Sequence, residues 1–174
     1  MKTKLYLAPL ICLFSLLIIS CGKDNSTPSD EKGDFIKMKI NGVDRVLYSN
    51  KANWSREGTK LEFTGIIGED EFIEIKIGNT TTKLPAGEYN TDQESPFRII
   101  AYYRVIRDNV KITYSAINQS DHIEDYFEIK IDQITNDHVE GTFSGTLIQH
   151  KDRVTLDKTN ITNGKFSLAI EPFQ

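Results

Sequence analysis

Tyr126-Phe127-Glu128-Ile129-Lys130-Ile131-Asp132 sets apolar against polar side chains with a period of two. Ile73-Glu74-Ile75-Lys76-Ile77 and Ile36-Lys37-Met38-Lys39-Ile40 do the same. In an extended strand successive side chains point to opposite faces, so each stretch has one face to bury and one to wet. One-sided burial marks antiparallel sheets, because parallel sheets are covered on both faces and read as continuous apolar runs. β-branched and aromatic residues are abundant along the chain, as strands prefer, and no stretch carries a convincing helical stripe.

Turn signals separate these runs. Asn41-Gly42 joins 38–40 to 43–48, and a two-residue Asn-Gly link is a strong hairpin signal. Gly68-Glu69-Asp70 divides 61–67 from 72–77, Asp108-Asn109 divides 97–106 from 110–117, and Asn136-Asp137 divides 126–134 from 139–148. Asn163-Gly164 reads as a second two-residue turn, ahead of 165–170. The expectation is an all-β fold, an antiparallel β-sandwich or meander barrel of about nine to ten strands. The sequence does not choose between the two. No fixed-period repeat is present, which sets aside solenoids and propellers.

The N-terminus carries an address. Lys2 and Lys4 precede an uncharged run from 5 to 19 with Pro9 inside it. That is the layout of a signal peptide, and the run is short of the about 20 apolar residues of a membrane span. It ends in Ile18-Ile19-Ser20-Cys21, which resembles a lipobox. The resemblance implies that the Cys21 thiol is alkylated by diacylglycerol and that cleavage falls just before it. Residues 1–20 are then a lipoprotein signal peptide. Residues 21–33 are the lipidated Cys and a flexible tether, since GKDNSTPSDEKG offers nothing to bury. Residues 34–174 form a single antiparallel β domain. Each buried acyl CH₂ contributes about 0.8 kcal/mol, so two or more chains hold a protein stably. Gly22-Lys23-Asp24-Asn25 is similar to the export signal of Bacteroidota surface lipoproteins, although Asn25 stands where a second acid is common. The expected location is the cell outer membrane, lipid-anchored, with surface exposure as a further implication of that likeness.

Composition narrows the function. The chain has 174 residues and two cysteines. Cys12 leaves with the signal peptide and Cys21 is the anchor, so the domain has no disulfide, no thiol nucleophile and no thiolate metal site. The formal net charge of −4 becomes −6 once Lys2 and Lys4 are removed. A mildly acidic domain argues against nucleic acid, which needs clustered Lys and Arg, and against a second electrostatic contact with the membrane.

Four segments carry a family likeness: Ile40-Asn41-Gly42-Val43, Leu84-Pro85-Ala86-Gly87-Glu88-Tyr89, Val139-Glu140-Gly141-Thr142-Phe143-Ser144-Gly145, and Ile161-Thr162-Asn163-Gly164-Lys165-Phe166. In this order they resemble an uncharacterised family of Bacteroidota lipoproteins with one all-β domain behind a lipobox. Such sequences often carry a Trp soon after the opening Asn-Gly. Here Tyr48 is the nearest aromatic and Trp54 lies further on. The family brings no active site to carry over.

Candidate chemistry is sparse. His122, His138 and His150 do not pair at metal-ligand spacing, and no H-E-x-x-H occurs. In Gly141-Thr142-Phe143-Ser144-Gly145 the Ser is not in the third place of a nucleophile elbow, and no helix follows, so a strand with glycines at a bend or close sheet contact is expected. Glu69-Asp70-Glu71 and Asp121 with Glu124-Asp125 read as solvated turns, with weak Ca²⁺ binding the alternative. Phe97-Arg98-Ile99-Ile100-Ala101-Tyr102-Tyr103-Arg104-Val105-Ile106-Arg107 is the most unusual stretch. One of its faces is apolar, while the other mixes Arg98, Tyr102 and Arg104 with Ile100 and Ile106. Arg with Tyr is a binding-surface composition. The structural alternative pairs these arginines with acids such as Glu74 or Glu128 on neighbouring strands.

The expectation is a membrane-anchored envelope lipoprotein that acts as a binding or assembly module. No enzymatic activity, cofactor or metal is expected. Its partners are the membrane through Cys21 and an envelope protein or glycan through a face bearing Arg98, Tyr102 and Arg104. The alternative is a lipocalin-like carrier of a small apolar ligand.

Overall fold

The computed structural model describes residues 34–48, 51–55, 58–118 and 124–172. The signal peptide, Cys21 and the tether expected before residue 34 lie outside the described residues, as do Asp121 and His122. Eleven strands lie among the described residues: β1 Phe35–Ile40, β2 Val43–Tyr48, β3 Lys51–Trp54, β4 Lys60–Ile66, β5 Glu71–Gly78, β6 Gly87–Asn90, β7 Arg98–Arg107, β8 Val110–Ile117, β9 Tyr126–Ile134, β10 His138–Lys151 and β11 Val154–Pro172. No helix occurs among the described residues. The described domain is therefore all-β, as its period-two alternation requires. The strands missing from the sequence reading are β3 and β6, each four residues long and too short to show a period.

The long hairpin β10–β11 is the spine. On its other edge β11 pairs antiparallel with β1, then parallel with β3. From β3 the ladder runs through β4, β5, β7 and β8 and returns to β10 at the pair Ser115↔Ile148. The hydrogen-bonded circuit thus closes on itself. β2 extends it beyond β1, and β9 with β6 extends it beyond β10. The pairing of β3 with β11 is the one parallel ladder among the described strands.

Two of the turns that sequence suggested have both residues at positive φ, as a type I′ turn requires: Asn41-Gly42 (φ 50, 83) and Asp108-Asn109 (φ 51, 61). Asn163-Gly164 is not a turn, contrary to expectation. β11 runs straight through it, and both the β1 and the β10 ladders slip register there. Asn163 (φ 54) and Gly164 form a β-bulge. The turn that closes the spine is Asp152-Arg153 (φ 51, 68), which carries no glycine to announce it.

Glycines explain how the sheet coils at this point. Gly141 sits directly across from Phe166, Gly164 across from Phe143, and Gly145 across from Phe127. A Cβ on Gly141 would lie 2.0 Å from the Lys130 carbonyl oxygen and 2.8 Å from the Phe166 ring. The strand backbones therefore approach closely, and each missing side chain is covered by a neighbouring ring.

The alternation closes the interior. Ile73, Ile75 and Ile77 of β5, Ile129 and Ile131 of β9, and Ile36, Met38 and Ile40 of β1 are all buried. The rings of Phe63, Phe166, Phe143 and Phe127 form a chain, with successive centroids 4.9, 6.3 and 5.9 Å apart.

Candidate functional site

The outward face of β4, β5 and β7 departs most from a solvated sheet surface. Register places Tyr102 opposite Glu74, Arg104 opposite Phe72, and Arg98 opposite Gly78. The Arg104 guanidinium lies 4.9 Å from the Phe72 ring centroid and 5.0 Å from that of Tyr102. It is thus flanked by two aromatic rings, a favourable cation–π arrangement that fixes its plane. Its ion pair with Glu74 is long, 3.7 Å, and Glu74 also holds Lys76 at 3.1 Å. Burial pulls the Lys76 pKa down, but hydrogen bonds to Glu74 and Glu62 outweigh it and leave the pKa raised. Ile66 is 70 % exposed and Ile106 44 %, so apolar side chains flank this arginine.

Arg98 lies further along the same face. It borders a half-open groove of about 330 Å³ whose outward side chains include Lys60, Glu62, Lys76, Arg98 and Ile100. Gly78 stands between Lys60 and Arg98 in the ladder. Across β4, β5 and β7 the outward cations Lys60, Lys76, Arg98 and Arg104 outnumber the outward acids Glu62 and Glu74. The face is locally basic on a chain whose net charge is −4. The structure brings Arg98, Tyr102 and Arg104 onto one side of β7, as period two demands, and pairs Arg104 with Glu74.

A second, larger groove of about 550 Å³ crosses β6, β9, β10 and β11. Its outward side chains are Glu88 and Asn90, Glu128 and Lys130, Thr142 and Ser144, and Asn163 and Lys165. The residues between them, Tyr89, Ile129, Phe143 and Gly164, are buried and offer the groove their backbone. Ser144 Oγ donates to one oxygen of Glu128 and Tyr126 OH to the other, the latter at 3.0 Å. Lys130 lies 3.3 Å from Asp132 and 3.8 Å from Glu88. Sequence reading passed over this groove because its side chains come from four strands far apart in the chain. Its only local signal was the glycine pair around Phe143.

Several of the remaining candidates have structural partners. Glu71 accepts hydrogen bonds from Tyr103 OH at 2.8 Å and Arg45 at 3.3 Å. Burial, with Glu71 adding to it, holds the Tyr103 phenol well above its usual range. Tyr114 OH donates to Asp157 at 2.7 Å, and that bond, with the Lys158 amide, lowers the Asp157 carboxyl pKa. Asp125 accepts the Ile117 amide, and Glu124 pairs with Lys158 at 2.9 Å. His138 lies 3.3 Å from Ser167 Oγ. Ser144 is on extended β10 with no helix after it. Among the described residues no group of three His, Cys, Asp or Glu side chains is placed to hold a metal ion.

No family model, curated protein or solved structure matches the chain.

Proposed function

We propose that this chain is a lipid-anchored protein of the outer membrane that acts as a binding module, engaging an acidic envelope protein on the outside of its β domain. The observation that carries this reading is the Arg104 guanidinium held between Phe72 and Tyr102 and only loosely paired with Glu74. A guanidinium fixed by stacking loses little freedom when it takes a carboxylate bidentately. Arginine and tyrosine beside exposed aliphatics is the composition of binding hot spots. Residues Met1 to Cys21 support the anchor through their basic start, short apolar run and lipobox-like end. A carrier role receives less support, because an interior ligand would have to displace the packed rings of Phe63, Phe166, Phe143 and Phe127. No catalytic role is proposed.

The test is photo-crosslinking in cells. A photoreactive phenylalanine at Thr64, exposed on the basic face, is compared with one at Val46 on β2. The Thr64 position should give a discrete adduct that Arg104→Ala abolishes at unchanged melting temperature. Cys21→Ser should abolish fatty-acid labelling and leave the precursor uncut. Adducts indifferent to Arg104, or a large fall in melting temperature for Arg104→Ala, would mean that the arginine is structural. Fatty-acid labelling of Cys21→Ser would overturn the anchor.

A further inference from the structure

The larger groove lies on different strands from the basic face and stands apart from the proposal above. We propose that it is a saccharide-binding site, taking a neutral sugar chain laid across β6, β9, β10 and β11.

The lining selects the ligand. Its outward side chains are all polar and mix carboxylates, amides, hydroxyls and ammonium groups. Glu88 and Glu128 balance Lys130 and Lys165, so the formal charge of the groove is zero. A phosphate or sulfate ligand would need an excess of cations, and an acyl chain would need an apolar lining. A polyol, with a donor and an acceptor at every hydroxyl, suits a neutral groove that presents both.

Glu128 is built for that task. Its two oxygens each accept one protein hydroxyl, from Ser144 and from Tyr126. A carboxylate has about four lone-pair sites, so each oxygen keeps one for a ligand hydroxyl. Two neighbouring hydroxyls of a sugar ring can then bind one carboxylate whose rotamer is already fixed, which reduces the ordering cost. Lys130 stands two residues along β9 as a donor, Lys165 lies across from it through Thr142, and Asn163 lines the β11 side of the groove with an amide that both donates and accepts. Asn163 owes its position to the bulge, where it adopts the left-handed conformation that Asn tolerates. The partly exposed Tyr126 ring shares the outward face of β9 and offers a flat surface beside Glu128. From β6 to β11 the groove spans three interstrand steps, about 14 Å, which favours a chain of sugars over a single ring.

The test is titration of the isotopically labelled full-length chain, solubilised in detergent, followed by amide shifts in NMR. The probes are maltotriose, mannotriose, galactotriose and chitotriose, with inorganic phosphate as the ionic comparator. At least one trisaccharide should shift amides confined to 88–90, 128–130, 142–144 and 163–165, and phosphate should not. Glu128→Gln should weaken that binding about tenfold, the loss of a charge-assisted hydrogen bond. Ser144→Ala should weaken it less by freeing the carboxylate, and both variants should melt as wild type does. No shift with any trisaccharide, equal shifts with phosphate, or affinity unchanged in Glu128→Gln would each overturn the proposal.

Discussion

Gly141→Ala is the sharpest test of how the spine is built. The added methyl would lie 2.0 Å from the Lys130 carbonyl oxygen and 2.8 Å from Phe166 Cζ. The ring can swing away, but the carbonyl is fixed in the β9–β10 ladder, where Gly141 faces Ile131 and Thr142 faces Lys130. The two strands must therefore separate locally. Overpacking costs about 1–3 kcal/mol, and one or two weakened ladder hydrogen bonds add about 1 kcal/mol each. The expected loss is about 2–5 kcal/mol, a large part of the total stability of a domain this size. Gly42→Ala is the control: nothing lies within 4 Å of its added methyl, so only the left-handed backbone at φ 83 is penalised. That strain is worth about 1–2 kcal/mol. Urea denaturation followed by the fluorescence of Trp54, the sole tryptophan and a buried one, measures both. Phe166→Leu should not rescue Gly141→Ala, because the harder contact is with backbone. A cost for Gly141→Ala below about 0.5 kcal/mol, or full rescue by Phe166→Leu, would refute the close-approach argument.

Two further outcomes are expected. Ile75→Ala and Ile129→Ala, at fully buried mid-strand sites, should each cost about 2–5 kcal/mol, whereas Lys130→Ala on the wet face should cost under about 1 kcal/mol; equal effects in denaturant melts would mean that the faces are misassigned. The Asp157 carboxyl, lowered by Tyr114 OH and the Lys158 amide, titrates below its unfolded value, so its stabilisation is present above the ordinary carboxylate pKa of about 3.9 and is lost as pH falls through the folded value. In Tyr114→Phe the side-chain carbon of Asp157 should titrate closer to the ordinary pKa by NMR, and an unmoved curve would exclude the tyrosine as the cause.

Alternation alone determined the class of this protein and the orientation of its main strands. Ile73, Ile75 and Ile77 could face one way only, and all three are buried. Asn41-Gly42 and Asp108-Asn109 were legible as turns because their residue types tolerate positive φ locally. The same logic failed at Asn163-Gly164. Locally that pair is as good a turn as Asn41-Gly42, but Gly164 lies under the Phe143 ring across β10, and the chain continues as strand. Asp152-Arg153 was invisible for the converse reason: the 13 cross-strand pairs of β10 with β11 impose a turn there that its residues do not advertise. For the candidate sites, sequence placed Arg98, Tyr102 and Arg104 on one side of β7, because period two is a property of the strand itself. Tertiary structure decided that Arg104 stacks on Phe72, which comes from another strand. It also assembled Glu128, Ser144 and Asn163 into one groove, because strand order and register are set by long-range pairing that no local pattern encodes.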